Sequence, residues 1–281
     1  MRCRSALTRI DALRTGELGL PEKAEVHEHF KTCKSCEDSV ADVEKLASAV
    51  KSLIAAPPQP LHDFYDRVEN VWVAFSDRGL RMITARSLED LRAGYQKRYC
   101  RSLERADLPE KLRKQVERAL SGQDLDQRAI DVDASALEAK VMEKLMEIPR
   151  GEVRTYAWLA AQIGKPKAVR AVANYVARNV IPFVVPCHRV VPTSGGVGNY
   201  AYGGPMKREL LRKEGVDVER LDDLAREGTR YIGSKTTKIF CFPTCRDARR
   251  IREDNRVPFH DAGEARQEGY RPCKRCQPIA A

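Results

Sequence analysis

The stretch Ile181-Pro182-Phe183-Val184-Val185-Pro186-Cys187-His188-Arg189-Val190-Val191 decides how the rest of this 281-residue chain is read. An apolar run passes through Pro186 into a cysteine, a histidine and an arginine. A cysteine attacks as the thiolate, and its free pKa is about 8.5, so a neighbour must assist its ionisation. His188 adjoins Cys187, and a nearby base is the usual activator of a weak nucleophile. The competing reading is a cysteine packed in a core strand, because free cysteine is among the most buried residue types. Spacing alone leaves both readings open, since a single Cys-His pair is a weak signal.

Residues on either side narrow the choice. Upstream lie Thr155-Tyr156, Lys167-Ala168-Val169-Arg170-Ala171-Val172 and Asn179. Downstream lie Gly195-Gly196-Val197-Gly198-Asn199-Tyr200, Lys207 and Leu210-Leu211-Arg212-Lys213-Glu214-Gly215. In this order, around Pro-Cys-His-Arg-Val, they resemble the O6-alkylguanine-DNA alkyltransferases (methylated-DNA–protein-cysteine methyltransferases). The resemblance runs from about Leu137 to Gly215.

The resemblance implies a site. Cys187 takes the alkyl group, His188 acts as its base through a water, and Glu214 holds the imidazole. Asn179 orders the active-site turn. Tyr156 presses on a DNA phosphate and can protonate the departing guanine oxygen. Arg170 is the finger that enters the duplex when the damaged nucleotide is flipped out. Gly198 and Tyr200 belong to the loop lining the base pocket, where a small residue lets backbone approach the base. Tyr202 stands where several family members have glycine, which implies a narrower pocket. The thioether product has no evident route to cleavage, so the protein is expected to act once, as a stoichiometric methyltransferase.

Composition agrees with a DNA partner. Lys and Arg total 50 against 40 Asp and Glu, a net charge of +10, which favours polyanions and nucleic acid first. No apolar run reaches the length of about 18 residues needed to span a membrane. The N-terminus lacks an apolar signal core, so the expectation is a cytoplasmic monomer with no membrane partner. Nine cysteines in a reducing compartment point to metal sites or catalysis, not disulfides.

The N-terminal segment, residues 1–54, contains Cys3 and the run His29-Phe30-Lys31-Thr32-Cys33-Lys34-Ser35-Cys36. His29 and Cys33 fall one helical turn apart, and Cys33 and Cys36 turn two thiols toward one point, as tetrahedral zinc requires. Cys3 is a candidate fourth ligand. The pattern resembles zinc-binding anti-sigma-factor domains, which implies a sigma-factor partner; a zinc-stapled helical module without that partner, or a Cys33–Cys36 disulfide, remains the alternative. Val43, Leu46, Val50 and Leu53 recur at helical spacing and predict a packing face.

Ala55-Ala56-Pro57-Pro58-Gln59-Pro60 reads as a linker over 55–60. Residues 61–130 resemble, loosely, the alkyltransferase N-terminal α/β domain. A hairpin is predicted from Val71–Phe75 and Leu80–Thr84 around Ser76-Asp77-Arg78-Gly79, then helices at Leu88–Leu103 and Leu108–Leu120. Cys100 falls inside the first helical pattern and reads as structural. Residues 131–220 form the DNA-binding and catalytic domain. Leu137, Val141, Leu145 and Met146 share one helical face, and Ala157–Ile163 and Pro166–Asn179 flank Gly164-Lys165 as a helix-turn-helix of winged type.

Residues 225–281 carry Cys241-x3-Cys245 and Cys273-x2-Cys276, a strong four-thiolate zinc signature in a small segment with little apolar content. Arg246, Arg249, Arg250, Arg252, Arg256, Arg271, Lys274 and Arg275 suit phosphate contacts. The segment resembles the metal-binding domain of the bacterial adaptive-response protein Ada. That resemblance implies that Cys241 is a second methyl acceptor, for methylphosphotriesters of the DNA backbone. In Ada the metal domain precedes the alkyltransferase, and a second helix-turn-helix segment serves transcription; this chain reverses the order and shows no such segment.

The expected fold is therefore multidomain α+β: a small helical zinc module, an α/β domain joined to a winged helix-turn-helix-like alkyltransferase domain, and a small four-cysteine zinc domain. The expected function is DNA repair on double-stranded DNA containing O6-methylguanine. The alternative is an alkylation-sensing regulator acting through its zinc modules on a sigma factor or promoter.

Overall fold

The computed structural model describes residues 2–15, 17–55, 62–123 and 129–278. It divides into two compact units, residues 1–61 and 62–281. Most of the Pro-rich linker, residues 56–60, lies outside the described residues.

The first unit is helical: α1 Cys3–Leu7, α2 Ile10–Thr15, α3 Leu20–Thr32 and α4 Lys34–Ala55. Pro21 opens α3, where a missing N–H costs nothing. Cys33 leaves helical geometry (φ −116°, ψ 98°), and α4 restarts at Lys34. α1 packs on both α3 and α4. The predicted packing face of α4 is only partly realised. Val43 is half-buried and Leu46 is 66% exposed, while the side chains of Val50 and Leu53 lie outside the described set.

The second unit opens with β1 His62–Val68, β2 Val71–Ser76 and β3 Gly79–Thr84. They are followed by α5 Leu88–Tyr99, β4 Ser102–Arg105 and α6 Glu110–Leu120. The sheet order is β3-β2-β1-β4, with the β1–β2 and β2–β3 pairs antiparallel and β1–β4 parallel. The predicted hairpin is present as β2–β3. The predicted helix to Leu103 stops earlier, because Cys100 takes the left-handed conformation at its C-cap (φ 53°) and Ser102–Arg105 pairs with β1. Cys100 is an exposed helix-end residue, at the C-cap of α5. Ser87 and Asp90 cap α5 reciprocally, at 3.1 and 3.2 Å, which satisfies two otherwise orphaned amides.

Next come α7 Ala136–Met146, β5 Arg154–Thr155, α8 Tyr156–Gln162 and α9 Val169–Ala177. Cys187–Arg189 form one 3-10 turn leading into β6 Val190–Val191, followed by α10 Gly204–Lys213 and α11 Val218–Arg226. β5 and β6 are parallel, pairing Arg154 with Val190 and Thr155 with Val191. α8 and α9 are the predicted helix-turn-helix pair; the second helix is shorter than expected at both ends. Thr155 caps α8 by accepting from the Trp158 amide at 3.1 Å.

The C-terminal part holds β7 Tyr231–Ser234, β8 Ile239–Cys241, α12 Arg246–Arg249, β9 Arg256–Phe259, α13 Ala262–Gln267 and β10 Arg271–Pro272. Its sheet order is β10-β8-β7-β9. A single apolar core runs from Val73 and Phe75 through Leu145, Leu159 and Cys187 to Cys241, Phe242, Cys245 and Cys276. The modules distinguished by sequence in residues 62–281 are thus built on shared packing.

Candidate functional site

Cys187 is buried on its 3-10 turn, and Asn179 sets the approach to it. The Asn179 carboxamide donates to Val185 O at 2.9 Å and accepts from the Ile181 amide at 3.1 Å. This brackets the turn Ile181–Val185, in which Phe183 holds a positive φ of 73° that is rare for an aromatic residue. His188 Nε2 lies 2.8 Å from Glu214 Oε1, and His188 Nδ1 is buried without a protein partner. Arg189 grips the same carboxylate, Nε to Oε2 at 2.9 Å and Nη2 to Oε1 at 2.8 Å, and reaches Ile148 O at 2.7 Å.

Charge follows from this geometry. Burial pushes the Glu214 carboxyl up, but hydrogen bonds from His188 and Arg189 outweigh it and hold the group at about 2. Burial pushes the His188 imidazole down against the opposing pull of Glu214. Burial raises the Cys187 thiol, with Asn179, Tyr200 and Lys207 pulling it back. Resting Cys187 is therefore a thiol beside a neutral imidazole. Tyr200 Oη lies 3.8 Å from Cys187 Sγ. Tyr156 is half-buried, and burial together with the nearby Cys187 raises its phenol. Lys207 is 1% exposed, with Nζ on Val190 O at 2.6 Å and Asn199 O at 3.3 Å. Burial lowers its ammonium to about 8, the Cys187 charge opposing.

Arg170 is exposed in the first turn of α9. Gly198 has φ +71°, and a Cβ there would stand 2.4 Å from Pro192 Cδ. A glycine is therefore required there for packing on Pro192. Tyr202 stacks near Tyr200 (5.8 Å) and Phe183 (6.0 Å), with its hydroxyl 3.5 Å from Thr84 Oγ1.

Two side-chain groups among the described residues have metal-binding geometry. Cys241, Cys245, Cys273 and Cys276 are all buried, with ligand atoms within 4.8 Å of one another. Tetrahedral zinc with Zn–S bonds of about 2.3 Å places sulfurs about 3.8 Å apart, so this set fits. Cys3, His29, Cys33 and Cys36 form the second group, also within 4.8 Å. There Cys3 Sγ and Cys33 Sγ lie 3.8 Å apart, and His29 Nε2 is buried with no hydrogen-bond partner, as a ligand nitrogen awaiting a metal would be. All nine cysteines are free thiols, so the Cys33–Cys36 disulfide is not formed.

The structure brings Cys187, His188, Glu214, Asn179, Tyr156 and Tyr200 together at one centre. Arg189 and Lys207 belong to the sequence pattern, but the pattern assigns them no role. A basic residue directly after the Cys-His pair, and a lysine three residues before the apolar pair Leu210-Leu211, are the signals available for them. The direct contact of Tyr200 with the thiol depends on a loop fold that spacing does not reveal.

Residues 136–216 match the family model of the 6-O-methylguanine DNA methyltransferase DNA-binding domain, and residues 220–278 match the metal-binding domain of Ada. The bifunctional transcriptional activator/DNA repair enzyme Ada of Escherichia coli is 44% identical over 91 residues, covering 32% of this chain and 26% of that protein. The human methylated-DNA–protein-cysteine methyltransferase is 48% identical over 77 residues, covering 27% of this chain and 37% of that one. Among solved structures, the O6-methylguanine-DNA methyltransferase of Pyrococcus kodakaraensis is 32% identical with a TM-score of 0.44, covering 55% of this chain and 99% of that one. This chain spans about a quarter of the length of the Ada protein it matches (26%). Zinc is the metal that the four-thiolate donor set and the matched Ada domain specify.

Proposed function

We propose that this chain, an Ada-like alkyltransferase by its domain content, repairs double-stranded DNA by moving the alkyl group of O6-alkylguanine onto Cys187. The observation that carries the reading is the buried thiol–imidazole–carboxylate set of Cys187, His188 and Glu214. It stands on a turn whose following strand pairs with the strand leading into the helix-turn-helix.

The O6 atom of guanine faces the interior of the duplex, so the nucleotide must leave the stack at a cost of a few kcal/mol. Arg170 enters the vacated place. Cys187 Sγ attacks the alkyl carbon, and its proton passes through a water to His188 Nδ1, the ring nitrogen without a protein partner. Glu214 and Arg189 hold the imidazole and its counter-charge in place. The carbon–O6 bond breaks with its electron pair on the guanine, which takes a proton from Tyr156; the tyrosinate recovers it from His188. The thioether remains, so one protein repairs one base, acting as a cytoplasmic monomer. Cys187→Ala should abolish transfer of label from O6-methylguanine DNA; retained transfer would overturn the reading.

Cys241 is the proposed second acceptor, for methylphosphotriesters. A groove of about 630 Å³ contains Cys241 and is lined by Arg250, Arg252, Arg271, Lys274 and Arg275, a basic cradle for a DNA backbone. Zinc held by Cys241, Cys245, Cys273 and Cys276 would keep the Cys241 sulfur as a thiolate at neutral pH. Methyl on Cys241 after exposure to a methylphosphotriester duplex would support this role.

A regulatory reading is favoured by the N-terminal unit. It is a separate body with its own metal-ligand set and with Leu20 and Leu46 exposed, as a sigma-binding surface would be. Failure of residues 1–61 within the full chain to retain any sigma factor in a binding assay would remove that reading.

A further inference from the structure

We infer that the C-terminal metal loop is a structural part of the alkyl-acceptor site, holding the strand against which the Cys187 turn is built. The loop is Cys241-Phe242-Pro243-Thr244-Cys245, with two of the four thiols at its ends. Thr244 Oγ1 accepts from the Val153 amide at 2.9 Å. The Arg246 amide, next after the second thiol, donates to Glu152 Oε1 at 3.0 Å. Glu152 Oε2 takes Arg154 Nη2 at 2.6 Å, and Arg154 Nη1 returns to Val153 O at 2.9 Å. The Arg154 guanidinium lies 5.4 Å from the Phe242 ring and 5.6 Å from the Trp158 ring.

Glu152 and Arg154 are each 2% exposed. A buried ion pair is stabilised when further hydrogen bonds meet its polar atoms; here the metal loop supplies one to Glu152 Oε1, while Arg154 Nε has no hydrogen-bond partner. The Val153 amide likewise finds its acceptor on the loop's threonine. Glu152 and Val153 lead straight into β5, whose Arg154 and Thr155 pair with Val190 and Val191, next after Cys187-His188-Arg189. Thr155 then caps α8, which begins at Tyr156. On the other side, a Cβ at Gly151 would meet Glu214 O at 2.9 Å and Arg249 Nη1 at 3.5 Å, so this segment is clamped between the catalytic carboxylate's backbone and α12. A further bond joins the end of α8 to the second cysteine pair, from Gln162 Nε2 to Gln277 Oε1 at 3.1 Å.

Binding free energy at a metal site is folding free energy for whatever the ligand loop supports. In this chain the supported set includes both the acceptor strand and the entry to the DNA-reading helices. Glu152, Arg154 and Thr244 are thus positioning residues for Cys187 and Tyr156. The inference uses the proposed acceptor role of Cys187 only to say what the coupling affects; the coupling itself is read without any methyl transfer.

The test is hydrogen exchange on the full chain, zinc-loaded and after chelation. Amides over 150–158 and 187–192 should exchange at least about tenfold faster without zinc, with those over 71–84 unchanged, as expected for a local cooperative unit. Faster exchange confined to 231–278 would overturn the inference. Should chelation accelerate 71–84 as well, the zinc-loaded Thr244→Val variant decides. With zinc content retained, it should show about tenfold faster exchange at 150–158. Unchanged exchange in that variant sinks the proposal.

Discussion

The Glu214 carboxylate is shared between His188, at 2.8 Å from Nε2, and the buried Arg189 guanidinium, which binds both of its oxygens. One carboxylate thus orients the base and neutralises the cation next to it. Glu214→Gln keeps the shape but removes the buried negative charge that His188 and Arg189 both hold, a change that costs about 3–5 kcal/mol. Urea denaturation at pH 7 should show a loss of that size, and a loss below about 1 kcal/mol would contradict the assignment. The folded carboxyl sits at about 2, below its ordinary 4.5. Its stabilisation is therefore complete above pH 4.5 and lost as pH falls toward 2.

The rate of methyl transfer should have a characteristic pH profile. His188 is held below its ordinary 6.5, so the neutral, proton-accepting form is present at pH 7 and the acid limb lies below 6.5. Lys207, lowered to about 8, loses above that pH a charge that favours the Cys187 thiolate. The second-order rate constant for transfer should be level between these limits and fall on both sides. A profile that keeps rising through a pH of about 9, as free-thiol ionisation would give, contradicts the relay.

Arg170 separates flipping from chemistry. Arg170→Ala should slow repair of duplex O6-methylguanine at least about tenfold, since nothing then fills the vacated stack. The rate of inactivation by the free alkylated base should stay the same. Equal losses on both substrates would place Arg170 in the pocket instead.

Tyr202 bears on substrate size. Its ring packs on Tyr200 and Phe183 beside the acceptor. Tyr202→Gly should accelerate inactivation by benzylguanine more than by methylguanine. Equal rates for the variant and the unaltered protein would remove the pocket-narrowing role.

Much of the site is legible in the sequence because its members cluster around one motif. Cys187, His188 and Asn179 lie within a short segment, and Glu214 follows in an ordered pattern. Both cysteine clusters are legible from spacing, because helix geometry and the Cys-x2-Cys turn bring ligands together locally. What escapes depends on distant pairing. β1 reads as a mixed segment, His-Asp-Phe-Tyr-Asp-Arg-Val, since Asp63 is buried against Arg81 and Tyr95 contributed from elsewhere. The end of α5 at Cys100 is a backbone choice made by the following strand. The bonds from Thr244 and Arg246 to Val153 and Glu152 join segments some 90 residues apart (|i−j| 91 and 94), and no local pattern encodes them.

The central claim is tested most directly by intact-mass and peptide mapping after incubation with a duplex carrying O6-methylguanine. The account predicts one methyl group on Cys187, in stoichiometric yield, and none there in Cys187→Ala. A protein that releases its methyl and turns over, or one that remains unmethylated at Cys187, would contradict it.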